Sequence, residues 1–570
     1  MAAIPWGWRA GSAEAATSAP FHHGVASGDP LPDAVVIWTR VTPTPDATPG
    51  SGAGPDVMVS WEVATDPLFA TVVRSGSVMA TVAGDHTVKT DVGGLLPATV
   101  YFYRFSMGGS TSPTGRTRTA PANNAALARL RFGLVSCSNW EGGFFSPYRH
   151  MAQRNDLDFV LHVGDYIYEY EPGKYGPGRP GAPHVPAREM VSLADYRQRH
   201  AQYKSDPDLQ ALHARHPWIV TLDDHEVTND THRSGAENHQ PATEGDYAER
   251  RRRAYQAYLE YMPLRPPDTS DPLRLYRRLQ FGTLADLTML DLRQYRDPQV
   301  ASTDTAAVTS PARTILGDTQ EAFLHGTLGA SQRPQWRLIG NSVVIVPFRI
   351  PPNPLGFPSI NTDQWDGYAA DRQQLIDHIV ANNVSNVVFL TGDIHSSWAA
   401  ELPRDPATYP ATGSVGAEFV CTSVTSDNLN EGTGTAPART SVPIEAGLIA
   451  NNPWIKLLNF DDHGYSVVEV TPERVQTDWY YIQHSTNPAA DPRLDPNATQ
   501  RFGQAFAVTT GTNRVAPAAL PIADDGTGPP PVIPEVPVAA LLPGSAVAVL
   551  GAAYAVTRFR ERAAHPATPE

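Results

Sequence analysis

Four short apolar runs in this chain each stop at a residue type able to ligate a metal, and no other feature constrains the fold as much. LRFGLVS ends at Cys137, and LDFVLHVG ends at Asp165 with Tyr168 three residues on. PWIVTL runs into Asp223, Asp224, His225 and Glu226, with Asn229 and Asp230 close behind. VVFLTG runs into Asp393 and His395. Apolar runs of this length, bounded by turn residues, read as strands, and LADLTML and WRLIG add two more. Between them YRHMAQRND, GDYAERRRRAYQAYLEYM and YAADRQQLIDHIVANN carry helical spacing. This alternation predicts a layered α/β domain over residues 130–510. Open α/β sheets bind ligands beyond the carboxyl ends of their strands, so the four ends are expected to meet in one cleft.

Upstream the pattern changes. VVIWTRVTP, VMVSWEVAT, HTVKTDVGGL and TVYFYRFSMGG alternate apolar and polar residues between turns. They predict an all-β sandwich of immunoglobulin or fibronectin type over 21–119, with APANNAALA (120–128) as a linker. A chain of 570 residues exceeds one ordinary core, which fits two domains.

The residue types in the expected cleft favour metal chemistry. Carboxylates crowded together raise one another's pKa, and a bound cation turns that cost into a gain. Oxygen ligands suit Ca²⁺ or Mg²⁺. Cys and Tyr, anionic when bound, suit a strongly polarising metal such as ferric iron. Metals bridged by a shared carboxylate can clamp the oxygens of a phosphoryl group. Taken singly, each residue has an ordinary reading. Asp165 sits where turns form, Asp223–Glu226 could cap a helix, Tyr168 and Tyr170 could be packed rings, and His395 could be a hydrogen-bonded loop residue. That reading must hold at four separate strand ends to be right. The GxSxG elbow of serine hydrolases is absent. A formal net charge of -15 disfavours a nucleic-acid-binding surface. The two cysteines, Cys137 and Cys421, are compatible with a disulfide, a ligand plus a core thiol, or two core thiols.

Taken together, the stretches FHHGVASGDPLPDAVVIWTRVTP, FGLVSCSNWEGGFFSPYRHMA, DFVLHVGDYIYEY, TLDDHEVTND, DQWDGY and LTGDIHSSW resemble the PhoD-like alkaline phosphatases, which are distantly similar to purple acid phosphatases. The resemblance runs from about residue 21 to past 470. It implies a four-layer α/β/β/α metallophosphatase catalytic domain behind the N-terminal sandwich. It also implies a centre of Fe³⁺ with Ca²⁺, and hydrolysis of a phosphate-ester substrate by a metal-activated water or bridging oxide. Carried residue by residue, it makes Cys137, Asp165, Tyr168 and His395 iron ligands. Asp224, Asn229 and Asp393 fall on the calcium side, with Asp223 and Asp230 near them. His225 becomes the group that contacts phosphate or protonates the leaving group, and Asn341 a further cleft residue. The alternatives are a phosphodiesterase acting on lipid or polymer phosphodiesters at the cell surface, and a surface-anchored binding protein without activity.

The ends bear on localisation. Residues 536–562 hold an uncharged stretch followed by Arg558, Arg560 and Arg562, behind a Pro-rich linker over 511–535. They read as a C-terminal membrane anchor on an exported, monomeric protein, with a buried helix or an Ala-rich tail as the alternative. Residues 1–20 read as the remnant of an export signal or a disordered start: Ala13-Glu14-Ala15 resembles a cleavage site, without an apolar run before it or the family's twin arginines. The Gly- and Pro-rich stretch 171–192 reads as a lid over the cleft or as a disordered loop.

Overall fold

A computed structural model describes residues 20–176, 178–265, 271, 273–329, 334–350 and 360–523. Its core is a pair of facing sheets. In the first, Leu130–Val135, Phe159–Val163 and Pro217–Thr221 lie side by side and parallel. In the second, Ala285–Met289, Trp336–Asn341, Val387–Thr391 and Ser414–Val420 do the same. Every residue of Phe159–Val163, Pro217–Thr221 and Val387–Thr391 is buried. This is why these strands read as continuous apolar runs: both faces of each are covered.

Side chains alternate between two cores. Phe132, Leu134, Phe159 and Leu161 point between the sheets, where they meet Leu287, Leu338, Val388 and Leu390. Val135, Val160 and Trp218 point the other way, onto Tyr203 of helix Leu193–Lys204, Leu209 of helix Pro207–Arg215 and Tyr258 of helix Tyr247–Tyr261. The second sheet packs its outer face, including Ile339 and Phe389, on Leu324 of Asp318–Gly329, Leu375 of Ala369–Ala381 and Leu448 of Ser441–Asn451. The layers run helix, sheet, sheet, helix.

The β-rich N-terminal segment makes its own small core, in which Val35, Ile37 and Val88 face Val59, Val63 and Phe105 of a five-stranded sheet. It is not a separate body, however. Val25–Gly28 pairs in parallel with Pro217–Thr221, and Ala34–Arg40 and Thr87–Gly93 follow antiparallel, so these strands finish the first sheet, which has ten strands. Gly28 sits where a Cβ would come 2.1 Å from the Pro263 carbonyl oxygen, so only glycine permits this join.

The sequence boundary near 119 therefore divides the chain but not the sheet. Ala120, placed in a linker by composition, is buried in the central core and donates its N–H to Leu31 O at 3.1 Å. At the far edge the sheet runs on past residue 511: Val515–Pro517 pairs with Thr499–Thr509, and Ile522 N donates to Asp478 Oδ2 at 2.6 Å. The start of the Pro-rich linker is thus a sheet edge, because its backbone finds ladder partners. No helix among the described residues is long and apolar enough to cross a membrane. The anchor read at 536–562 and the export signal read before residue 20 lie outside the described residues.

Candidate metal centre

The cleft lies where the two sheets' parallel strands end. The chain reverses sharply there, and it does so through residues that are not glycine: Cys137 (φ 61°), Asp165 (φ 57°), Asp230 (φ 54°), Asp393 (φ 63°) and His395 (φ 48°) all adopt left-handed backbone. Such conformations are uncommon outside glycine and persist where surrounding contacts enforce them. Those contacts are visible. Cys137 N donates to Gly164 O at 3.2 Å and Ser138 N to Asp165 O at 2.9 Å, tying two neighbouring turns together. Glu226 lies behind them as a brace, its carboxylate accepting the N–H groups of Asp165 (3.2 Å), Tyr166 (2.7 Å) and Asp223 (2.8 Å).

The turns bring ligand-type atoms together in three overlapping groups, each within 4.8 Å: Cys137, Asp165 and His395; Asp165, Asp224 and His225; Asp165, Asp223, Asp224 and Asp393. Asp165 is common to all three. Tyr168 joins the first group, with its hydroxyl 3.1 Å from Asp165 Oδ2 and 3.3 Å from His395 Nε2.

Electrostatics show that this assembly is incomplete as protein alone. Among the described residues, the buried oxygens Asp165 Oδ1 and Asp224 Oδ1 have no hydrogen-bond partner. A buried polar atom left in this way is costly. Burial, then neighbouring carboxylates, push Asp165 and Asp393 well above the usual carboxylate range, and burial raises Asp224 as well. Burial and the nearby Asp165 likewise raise the Cys137 thiol and the Tyr168 phenol. A cation at the shared corner reverses each of these penalties at once, so the donor set fits metal.

The histidines are set in opposite ways. His395 places Nδ1 2.9 Å from the Asp427 carbonyl oxygen, and burial lowers its pKa to about 3. It is therefore neutral, with its proton on Nδ1 and its Nε2 lone pair turned to the cluster, as a ligand requires. Arg493 fixes that loop by donating to Thr425 O at 2.8 Å and Asp427 Oδ1 at 2.7 Å. His225 has Nδ1 2.7 Å from Glu169 Oε2 and its ring 4.2 Å from Tyr168. Burial opposes its charge, but Asp224, Glu169 and Asp165 outweigh burial and hold its pKa well above the ordinary value.

Several residues here were not singled out by sequence. Arg293, fully buried, donates to both oxygens of Asp223 (2.6 and 2.8 Å) and both of Asp363 (2.9 and 3.0 Å), and reaches Asp393 Oδ1 at 3.3 Å. Gln364 Nε2 donates to Asp393 Oδ2 at 2.5 Å. Glu169 accepts from Asn229 N (2.7 Å) and Asn238 Nδ2 (2.9 Å) as well as orienting His225, and these contacts hold its pKa down to about 2 against burial. A signal existed for three of them: Glu169 lies inside GDYIYEY, and Asp363 and Gln364 open DQWDGY. For Arg293 there was none.

Other expectations change. Asn341, read as a further cleft residue, has its side chain engaged by the scaffold. Its amide spans the scaffold, donating to Thr391 Oγ1 (3.1 Å) and Val343 O and accepting from Trp365 Nε1 (3.1 Å). Asn229 gives its side-chain N–H to Glu237 Oε2 at 3.1 Å. Asp230 lends its backbone N–H to Asp224 Oδ2 at 2.7 Å. The disulfide alternative is excluded: both thiols are free, and Ser136 Oγ stands between them, 3.1 Å from Cys137 Sγ and 3.3 Å from Cys421 Sγ. Cys421 is a core thiol that donates to Thr391 O at 3.3 Å, and burial pushes its pKa to about 12.

Comparison with known proteins agrees with this geometry. The PhoD-like phosphatase family model matches residues 132–479, and the model of the PhoD-like phosphatase N-terminal domain matches 7–121. Alkaline phosphatase D of Bacillus subtilis (strain 168) is 40% identical over 483 residues, covering 83% of this chain and 79% of that protein. The solved structure of PhoD matches with a TM-score of 0.80 at 34% identity, over 96% of this chain and 99% of that one. The purple acid phosphatase PPD1 from yellow lupin seeds matches with a TM-score of 0.50 over 86% of this chain and 74% of its own; at 11% identity it shares the fold alone. The chain thus belongs to the PhoD-like phosphatase family and is a metal-dependent phosphoester hydrolase.

Proposed function

We propose that the cleft holds ferric iron beside calcium ions and that the residues around it divide accordingly. Cys137, Asp165, Tyr168 and His395 would hold the iron: a thiolate, a phenolate and a carboxylate supply three anions, and His395 supplies a neutral nitrogen. Asp224, Asp393 and Asn229 would hold calcium through oxygen. With its N–H spent on Glu237, Asn229 has its carbonyl oxygen to offer. Asp165 bridges the two sides, and its membership of all three ligand groups is the observation that carries this reading.

Bound cations supply a lowered pKa for water and charge neutralisation at a transferring phosphoryl group. The protein's own residues do the rest. Glu169 holds His225 at Nδ1, so Nε2 is the ring nitrogen left to face the leaving oxygen and, when it carries a proton, to donate to it. Glu226 and Arg293 keep the ligand turns at fixed spacing. Residues 21–119 are read as the family's N-terminal sandwich, built onto the catalytic sheet.

The test is metal analysis of the purified protein, with its visible spectrum and phosphate release from a monoester and a diester. Iron with calcium, a Tyr- or Cys-to-iron charge-transfer band and ester turnover are expected. A colourless, iron-free protein with full turnover would overturn the iron assignment.

A further inference from the structure

Tyr175 is used by none of the chemistry above, yet it stands over the metal cluster. Its ring centroid lies 5.6 Å from Tyr168, 5.6 Å from Tyr170 and 6.5 Å from His225, stacked at 20° on the last. Its hydroxyl is 3.4 Å from His395 Nδ1, and the residue is half-buried, so one side of it reaches solvent.

The loop carrying it is pinned. Glu141, buried at 3% exposure, accepts Gly173 N at 2.8 Å and His184 N at 3.0 Å on its carboxylate, and its carbonyl accepts Gly178 N at 3.0 Å. Asn139 Nδ2 donates to the Tyr175 carbonyl at 3.0 Å. Arg179 lies 4.2 Å over the Trp140 ring and pairs with Asp206 at 2.7 Å. Gly176, at φ 107°, would bring a Cβ to 3.0 Å from the Glu141 backbone, so the loop lies directly on the turn beneath it. These contacts hold the described part of the loop as a fixed wall.

A phosphoryl group held beside His225 and Asp165 would bring its alcohol portion within reach of this wall, whose ring lies 6.5 Å from that of His225. The floor of the cleft is carboxylate, whereas the wall is the face of a Tyr ring backed by two more. We propose that Tyr175 is a specificity-determining residue that stacks on the alcohol portion of the ester and favours aryl phosphate esters over aliphatic ones. This inference rests on the phosphoester reading of the same cleft. Stacking between flat rings is worth enough to be read in KM, and it requires the ring rather than the hydroxyl.

The experiment measures kcat/KM for phenyl phosphate and glycerol 2-phosphate in the metal-loaded protein, for wild type, Tyr175→Ala and Tyr175→Phe. Taking each variant relative to wild type on the same substrate cancels the difference in leaving-group acidity. Tyr175→Ala is expected to lower the aryl-to-aliphatic ratio by about tenfold, chiefly through KM, while Tyr175→Phe keeps it. If Tyr175→Ala does not fold, Tyr175→Leu, which keeps bulk without a ring, is read in the same way. An unchanged ratio, or a Phe variant as impaired as the Ala variant, overturns the proposal while the phosphoester reading stands. A wild type inactive on both monoesters overturns this proposal, and inactivity on a diester as well overturns the phosphoester reading with it.

Discussion

Two regions of this molecule bury carboxylates, and they do so in opposite ways. At the seam between the N-terminal strands and the rest, Asp29 accepts Arg277 Nη2 at 2.6 Å and Arg265 N at 2.7 Å. Asp85 there accepts Arg40 Nε at 3.2 Å, Gly50 N at 2.9 Å and the Tyr261 hydroxyl. Each seam carboxylate has its own guanidinium and, among the described residues, no orphaned oxygen. In the cleft Asp223, Asp224, Asp363 and Asp393 crowd around the guanidinium of Arg293, with Arg296 pairing only Asp363, and Asp165 has, among the described residues, one oxygen without a partner.

Backbone conformation does not separate the two regions. Asp29 (φ 43°) and Asp85 (φ 52°) are as left-handed as Asp165 and Asp393. What separates them is charge balance. Strain with paired charge marks a structural joint. Strain with excess like charge marks a place built for a cation.

That contrast is open to attack from both sides. The largest effect is expected at Asp165: Asp165→Ala should lower kcat by about 10³-fold or more, because it removes the carboxylate common to all three ligand groups. Phosphate release and metal content, measured together, check this, and a fully active variant would end the assignment. Asp29→Ala should act on stability instead. It strands Arg277 in the interior and should cost about 3–5 kcal/mol in urea unfolding, with the folded fraction keeping its metal. Loss of metal without loss of stability would erase the distinction between the regions.

Smaller effects sharpen it. His225→Ala should retain metal and slow turnover by about a hundredfold, as expected for lost acid catalysis. Glu169→Gln should slow turnover by about tenfold, since it weakens the orientation of His225 while removing no proposed ligand; unaltered kinetics would make Glu169 purely structural. The smallest is a gain. In metal-free protein, Asp165→Asn should stabilise the fold by about 1 kcal/mol by relieving like-charge crowding, read from urea midpoints after chelation. The corresponding Asp29→Asn should destabilise it.

Much of the cleft is legible in the amino-acid order. Cys137, Asp165, Asp224 and His395 each follow a buried strand, and burial on both faces writes an apolar run that ends abruptly. Arg293 is invisible there for the same reason in reverse. It follows Ala285–Met289, but an arginine after a strand is ordinary, and its partners Asp223 and Asp363 are both 70 residues away. Asn341 misleads because it too stands at a strand's end, yet its amide is spent on Trp365, Thr391 and Val343.

The sequence by itself determined which residues could form strands and helices and which ligand types stand at strand ends. Those choices rest on preferences acting within a few residues. Tertiary structure alone decided that Val25–Gly28 completes the sheet beside Pro217–Thr221, that the two thiols stay apart, and that Arg293 meets several carboxylates. Each of these depends on bringing distant segments together, and the energy that holds such partners exists only once the intervening chain has closed.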